Sequence, residues 1–285
     1  MRRRRGVAGW RVKVAAFSAW IAVVSLFFLW ETSQYRGFIA MLAEWQFNNF
    51  GRYFPTLTFA IVVFVLSLPG YLVFLRPQRS KTSEIAAVST RSARIFWRAL
   101  TGVAVGLCVT AIGTLLAMLW LPSSQGEAQH YSLQGERAAL PHEGLTQLSG
   151  VIAYDRVSAF DQELLVARRN VRFAPVFPTA NPTSPVQFFV ELPAVDRLPA
   201  TQSGTMTGIL RQGGLPGEIV NLYHYAGYAI DRPYFVLFVD PGAMRWPYIS
   251  AAIQLLIGAS LAAIMAWAQS RRFKRRKPAA GETQS

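Results

Sequence analysis

Four long apolar runs and one long polar insert divide this chain. Residues 14–30, 54–75, 99–121 and 246–268 contain no Asp, Glu, Lys, Arg or His. Each run has about the 17 to 25 residues that a hydrocarbon core of roughly 30 Å demands of a helix, so four transmembrane helices are predicted. Trp10, Trp30, Tyr53, Tyr71, Trp97, Trp120, Trp246, Tyr248 and Trp267 stand at or near the ends of these runs, where aromatic rings settle at headgroup level.

Between the third and fourth runs the pattern changes. Residues 148–154, 164–177, 186–192, 205–211, 219–228 and 234–239 are short runs rich in Val, Ile, Phe, Tyr and Thr, divided by turn-forming clusters at 178–185, 199–204 and 212–217. Six or seven strands with no room for crossover helices predict an antiparallel barrel or sandwich. Residues 123–142 are polar and read as a linker to the third span. In the short loop 31–53, Phe38, Ile39, Met41, Leu42, Trp45 and Asn49 recur at helical spacing, which predicts a short amphipathic helix on the outer membrane surface. Phe38 and Trp45 are its candidate partner contacts.

Charge orients this plan. The chain carries a formal net charge of +14, and eighteen of its 29 Lys and Arg fall within residues 2–13, 76–98 and 271–277. With four spans these segments share one side, and the positive-inside rule makes it cytoplasmic. Residues 122–245 hold no Lys, and their nine Arg stand against eleven Asp and Glu. The basicity therefore orients the chain and points to membrane lipid, not nucleic acid, as a partner. The expected plan is a basic segment 1–13, a span 14–30, an exported loop 31–53, a span 54–75, a basic loop 76–98, a span 99–121, an exported β domain 122–245, a span 246–268 and a basic tail 269–285. The fold class is α+β: four transmembrane α-helices plus one exported antiparallel β-barrel-like domain in a multi-pass bacterial inner-membrane protein. The first apolar run ends in Phe27-Phe28-Leu29-Trp30 without a small-x-small cleavage site, so it is expected to be a retained anchor.

The chemical inventory is sparse. The single cysteine, Cys108, lies in the third run, so no disulfide or thiolate metal site is expected in the exported domain. His130, His142 and His224 lack metal-ligand spacing, and no Gly-x-Ser-x-Gly elbow or phosphate-cradling Gly loop occurs. The residues thus predict no metal, no catalytic group and no enzyme. Uncharged spans with few polar groups beyond Thr, Ser and Gln254 argue against a transport path. Pro69-Gly70 predicts a kink in the second span. Gly102, Gly106, Thr110 and Thr114 in the third span, and Ser250, Gln254, Gly258, Ala262 and Ala266 in the fourth, form small-residue rows expected to pack on each other or on a partner. Arg211 is expected to pair with Asp231 or Glu218, or to grip a partner carboxylate. Asn221 is a candidate partner contact, and His224 alternates with aromatics as a surface strand residue would.

The order of features in residues 204–272 is distinctive. Gly208-Ile209-Leu210-Arg211 ends a strand, a Pro216 and Asn221 turn follows, and Pro233-Tyr234-Phe235-Val236-Leu237 leads into a final span closed by Arg271-Arg272. This order resembles the tail of the Surfeit-type cytochrome oxidase assembly factors, which place a small exported β-barrel between two spans. The resemblance implies a part in haem insertion or in assembly of the haem-copper oxidase core, with His224 a candidate haem contact and Arg211 a candidate grip on a haem propionate. The expected role is a non-catalytic assembly factor or accessory subunit of a membrane complex. Alternatives are a structural envelope scaffold whose exported domain mediates protein–protein interaction and, third, a component of a small-molecule transporter.

Overall fold

The computed structural model describes residues 3–34, 37–51, 53–75, 85–134, 140–163, 168–179, 185–192 and 201–275. Arg2, Arg76, Arg79, Lys81, Arg276 and Lys277 of the basic segments, and parts of the turn clusters at 178–185 and 199–204, lie outside them. The described residues form six α-helices and seven strands: α1 (Arg3–Gln34), α2 (Gly37–Phe50), α3 (Pro55–Gly70), α4 (Ile85–Ala117), β1 (Gln129–Ser132), β2 (Gly144–Ala153), β3 (Ser158–Glu163), β4 (Arg168–Phe177), β5 (Val186–Leu192), β6 (Thr201–Gln212), α5 (Gly217–Tyr225), β7 (Ile230–Phe238) and α6 (Pro241–Arg275). The chain divides into two compact units, one of Met1–Thr32, Met41–Leu115 and Ala251–Ser285, the other of Ser33–Ala40 and Leu116–Ser250.

The first unit is helical. Gly9–Thr32, Pro55–Leu75, Ala93–Trp120 and Pro241–Arg271 are long and apolar enough to cross a membrane. The first, third and fourth of these helices overrun the charge-free runs because nothing in the flanking sequence breaks them: α4 already begins at Ile85, with Arg, Ala and Ser continuing its backbone. α3 carries Pro69 and passes into a π-helical turn at Tyr71–Leu75. There the Trp20 indole N–H of α1 donates to the Leu66 carbonyl at 3.0 Å. A Cβ on Gly70 would collide with Trp20 Cδ1, so the glycine makes the seat for that ring.

The glycines of the small-residue rows face large side chains. A Cβ on Gly102 would lie 2.5 Å from Phe17 Cδ1, and one on Gly106 would lie 2.7 Å from Ile21 Cβ and 2.9 Å from the Ser18 carbonyl oxygen. The α4 glycines therefore receive the bulky face of α1, whose Val14, Phe17 and Ile21 form a cluster with Leu75. Gly258 of α6 faces a large side chain as well, Leu107, 3.3 Å from where its Cβ would be. Small residues oppose large ones here because a missing Cβ opens a socket that a branched or aromatic side chain fills. Thr110 and Thr114 are buried and donate to carbonyls of their own helix, Gly106 and Thr110, at 3.0 and 2.9 Å. Ala262 is buried too.

The second unit is built on a seven-stranded sheet ordered β1-β2-β6-β7-β5-β4-β3, with a further short pairing of β2 to β4. A wholly antiparallel arrangement is overturned: β1–β2 and β5–β7 are parallel. A parallel neighbour requires the chain to cross over before returning, and the path from β5 through β6 and α5 to β7 supplies that crossing. Strand alternation puts apolar residues on both faces. Phe188, Val190, Leu192, Phe235 and Leu237 join one cluster, while Phe189, Val236, Phe238, Phe173 and Val171 join the other. The second face is covered by Leu215, Ile219, Val220 and Tyr223 from and beside α5, and by Ala243 and Met244 from the head of α6.

The run 219–228, expected as a strand, is largely the helix α5. Pro216 stands at its N-cap, after Gly213 and Gly214 whose φ values of 71° and 83° end β6. Ile219, Val220 and Tyr223 share one buried helical face, a spacing that alternation of aromatics concealed. The expected linker 123–142 contains β1, and the expected strand 164–177 is observed as β4, with 164–167 outside the described residues.

Candidate functional site

The face of the sheet beneath α5 and α6 also carries charge. Arg169 on β4 and Glu191 on β5 form an ion pair, Nη2 to Oε1, at 2.8 Å; the Glu191 side chain is 8% exposed and that of Arg169 is 25%. Removing a carboxylate from water costs several kcal/mol unless its lone pairs are met. Here one oxygen is met, and Oε2 has no hydrogen-bond partner among the described residues. Burial pushes the Glu191 carboxyl up to about 7, Arg169 opposing and Asp240 reinforcing the rise.

The second branch of Arg169 reaches α6. Its Nη1 donates to the Ala243 carbonyl at 3.1 Å. In a regular helix that carbonyl accepts from the N–H four residues on, but the residue there is Pro247, which has none. Arg169 thus supplies the bond the proline removes. Asp240 completes the helix start, its Oδ1 accepting from the Gly242 N–H at 2.8 Å, where a carboxylate also meets the positive end of the helix dipole.

Arg211, at the end of β6, makes a parallel contact. Its Nη2 donates to the Tyr248 hydroxyl of α6 at 2.9 Å, and its guanidinium lies 5.8 Å from the centre of that ring. The expected ion pair of Arg211 with Asp231 or Glu218 is not formed, because the aromatic hydroxyl of α6 occupies the guanidinium. Opposite, Tyr223 anchors α5: its buried hydroxyl lies 2.9 Å from the Arg156 carbonyl and 3.0 Å from that of Phe173. Burial pushes this phenol up to about 12. Arg156 itself stands over the rings of Phe177 and Tyr228, at 5.6 and 5.4 Å, cation–π contacts that hold the corner below α5.

Of the residues singled out from the sequence, Asn221 and His224 lie on α5, half-buried and exposed respectively. A haem ligand would need an apolar slot for the macrocycle beside it. The neighbours Leu222 and Tyr225 are themselves exposed, and the inner face of α5 is spent on the sheet, so the residues around His224 do not fit a haem. His224 sits in the last turn of α5, where a basic group meets the helix dipole. Phe38 and Trp45 are exposed on α2 with Met41 between them, at i, i+3 and i+7, while Ile39 and Ala43 are buried. Gln46 ties α2 to the start of α3, donating from Nε2 to Thr58 Oγ1 at 2.8 Å and accepting from the Phe54 N–H at 3.1 Å.

The seam of Arg169, Glu191, Ala243 and Pro247 was not singled out from the sequence. Its signals were a lone Glu inside the apolar run Val186–Leu192 and a proline early in the final helix. Chemically the seam holds a proton near neutrality and fixes the head of α6. Among the described residues no group of three or more His, Cys, Asp or Glu is placed to hold a metal ion. No family model, no curated protein and no solved structure matches this chain.

Proposed function

We propose that this protein is a non-catalytic assembly factor or accessory subunit of a membrane complex, whose sheet domain presents a contact surface to a partner. The observation that supports it is the origin of α6. Ala243 and Met244 are 4% and 1% exposed within the core of the sheet, and the same helix goes on to form the last candidate span. A binding domain so built is attached to its membrane helix with no linker between them. We read the sheet as barrel-like, its ring closing where Val151 and Ile152 of β2 meet Phe177 and Val176 of β4. The contact surface is the outer side of α5, where Leu222 and Tyr225 are 49% and 83% exposed.

In this reading the chain lies in a bacterial cell membrane with its Arg-rich ends cytoplasmic and residues 122–245 periplasmic. Haem-copper oxidase biogenesis is its most concrete form, resting on the resemblance of residues 204–272 to the Surfeit-type factors. Full-length protein purified in mild detergent is expected to co-elute with oxidase subunits. A deletion strain with an unchanged oxidase level would remove the oxidase assignment, and a reporter fused after Ala268 that is active only in the periplasm would reverse the topology.

A scaffold reading is favoured by one different observation: among the described residues β1 and β3 each pair on one side only, with β2 and β4. Such edges can recruit a second copy. A discrete homo-oligomer that forms without any other protein would favour it.

A further inference from the structure

Near the starts of the spans in α1 and α4, Trp10, Trp97 and Arg98 meet in a cluster. The inward row of α1 runs Trp10, Val14, Phe17 and Ile21 and packs on Ile95, Ala99 and Val103 of α4. At its foot the rings of Trp10 and Trp97 are 5.9 Å apart, and the Arg98 guanidinium lies 5.3 Å over Trp10. Arg98 Nε is buried and has no hydrogen-bond partner among the described residues. The neighbouring charge that acts on Arg98 is Arg94, one turn away on the same helix, where like charges repel.

Among the described residues no acid forms an ion pair with them. Residues 9–30 of α1, the turn Tyr71–Leu75 and the whole of α4 contain no Asp or Glu, while Arg11 and Lys13 add further charge. A guanidinium over the Trp10 ring with a second arginine one turn away, and no acid paired to either among the described residues, calls for an external anion. Arginine presents fork geometry suited to phosphate.

The surface beyond identifies the source of that phosphate. Arg94, Arg98, Val105, Val109 and Ile112 fall on one side of α4 by helical spacing, and the three apolar residues are 47%, 50% and 57% exposed. The charged pair thus stands at the end of an open apolar stripe. From Arg98 to Ile112 the stripe runs for about 20 Å at roughly 1.5 Å per residue, enough for an acyl chain in one leaflet of about 15 Å. A free phosphate would have no use for it.

We propose that Arg94 and Arg98 of α4, with the Trp10 ring of α1, bind the headgroup phosphate of an anionic phospholipid whose acyl chain lies along Val105, Val109 and Ile112. This site is independent of any partner of the sheet domain.

The test uses full-length protein in a neutral detergent, where no charged membrane surface contributes, and counts bound phosphatidylglycerol and phosphatidylcholine by native mass spectrometry. Wild type is expected to prefer phosphatidylglycerol. Arg94→Gln, at an exposed position, is expected to weaken that binding about five-fold, the worth of roughly 1 kcal/mol per basic residue. Arg98→Gln is expected to weaken it at least as much, and Arg98→Lys less. The control is Arg271→Gln, which removes the same charge from a guanidinium stacked 3.8 Å over Trp267 and is expected to leave binding unchanged. Equal losses in Arg94→Gln and Arg271→Gln, or no preference in wild type, would overturn the site. Displacement of the lipid by millimolar inorganic phosphate would assign it to free phosphate instead.

Discussion

Glu191 holds one carboxylate oxygen 2.8 Å from Nη2 of Arg169 and keeps the other without a hydrogen-bond partner among the described residues. Its folded pKa of about 7 stands above the ordinary 4.5. Between those values the native state holds a proton that the unfolded chain releases, so stability falls as pH rises through this window. The fall approaches about 3 kcal/mol above pH 7. Glu218, which burial also raises to about 7, acts in the same direction. The melting temperature of the full chain in mild detergent is expected to be higher near pH 5.5 than near pH 8, and Glu191→Gln should flatten much of that difference. An unaltered slope in the variant would assign the effect elsewhere.

Removing Arg169 should destabilise the sheet. Arg169→Met leaves the Glu191 carboxyl to hold its proton without a partner and the Ala243 carbonyl without its donor, a loss of about 1–3 kcal/mol near pH 7. Adding Glu191→Gln should restore part of it. Denaturation of the two single variants and the double variant gives the coupling directly; strictly additive losses would show that the pair does not act together.

Tyr223→Phe isolates one hydroxyl. Its removal is expected to destabilise the second unit by about 1–2 kcal/mol and to speed hydrogen exchange in α5 and in the backbone around Arg156 and Phe173. Protection unchanged at all three places would mean that packing alone seats the helix.

The glycines of the helical unit should differ in tolerance. An added methyl at Gly106 meets the Ser18 backbone oxygen at 2.9 Å, whereas one at Gly258 meets only the tip of Leu107 at 3.3 Å. Gly106→Ala is expected to cost about 1–3 kcal/mol, and Gly258→Ala less than about 1 kcal/mol. Thermal unfolding in detergent, followed by tryptophan fluorescence, should rank them in that order.

What the sequence made legible followed from strong, one-dimensional signals. Charge-free runs reported the four long helices because length and apolarity alone define a candidate span. Residues 186–192 and 234–239 read as strands because their apolar content leaves few other ways to be buried, and they fall in the observed β5 and β7. The sequence could not show that β5 and β7 lie side by side and parallel, since that pairing depends on where β6 and α5 go. Ile219, Val220 and Tyr223 fitted a strand until Pro216 was seen to cap a helix. The seam itself was hidden because Arg169, Glu191 and Pro247 are far apart in sequence, and only the folded sheet brings a guanidinium to the carbonyl that a proline has orphaned.

The burial of Ala243 and Met244 in the sheet core also bears on the order of synthesis. Every strand of the sheet and α5 are synthesised before Pro241, yet the cover over the hydrophobic face around Phe173, Phe189 and Val236 is incomplete until the head of α6 arrives. A chain ending at Val239 would carry that face covered by α5 alone. The domain is finished only when its last helix is delivered, so maturation of the sheet and delivery of the final membrane segment become a single event.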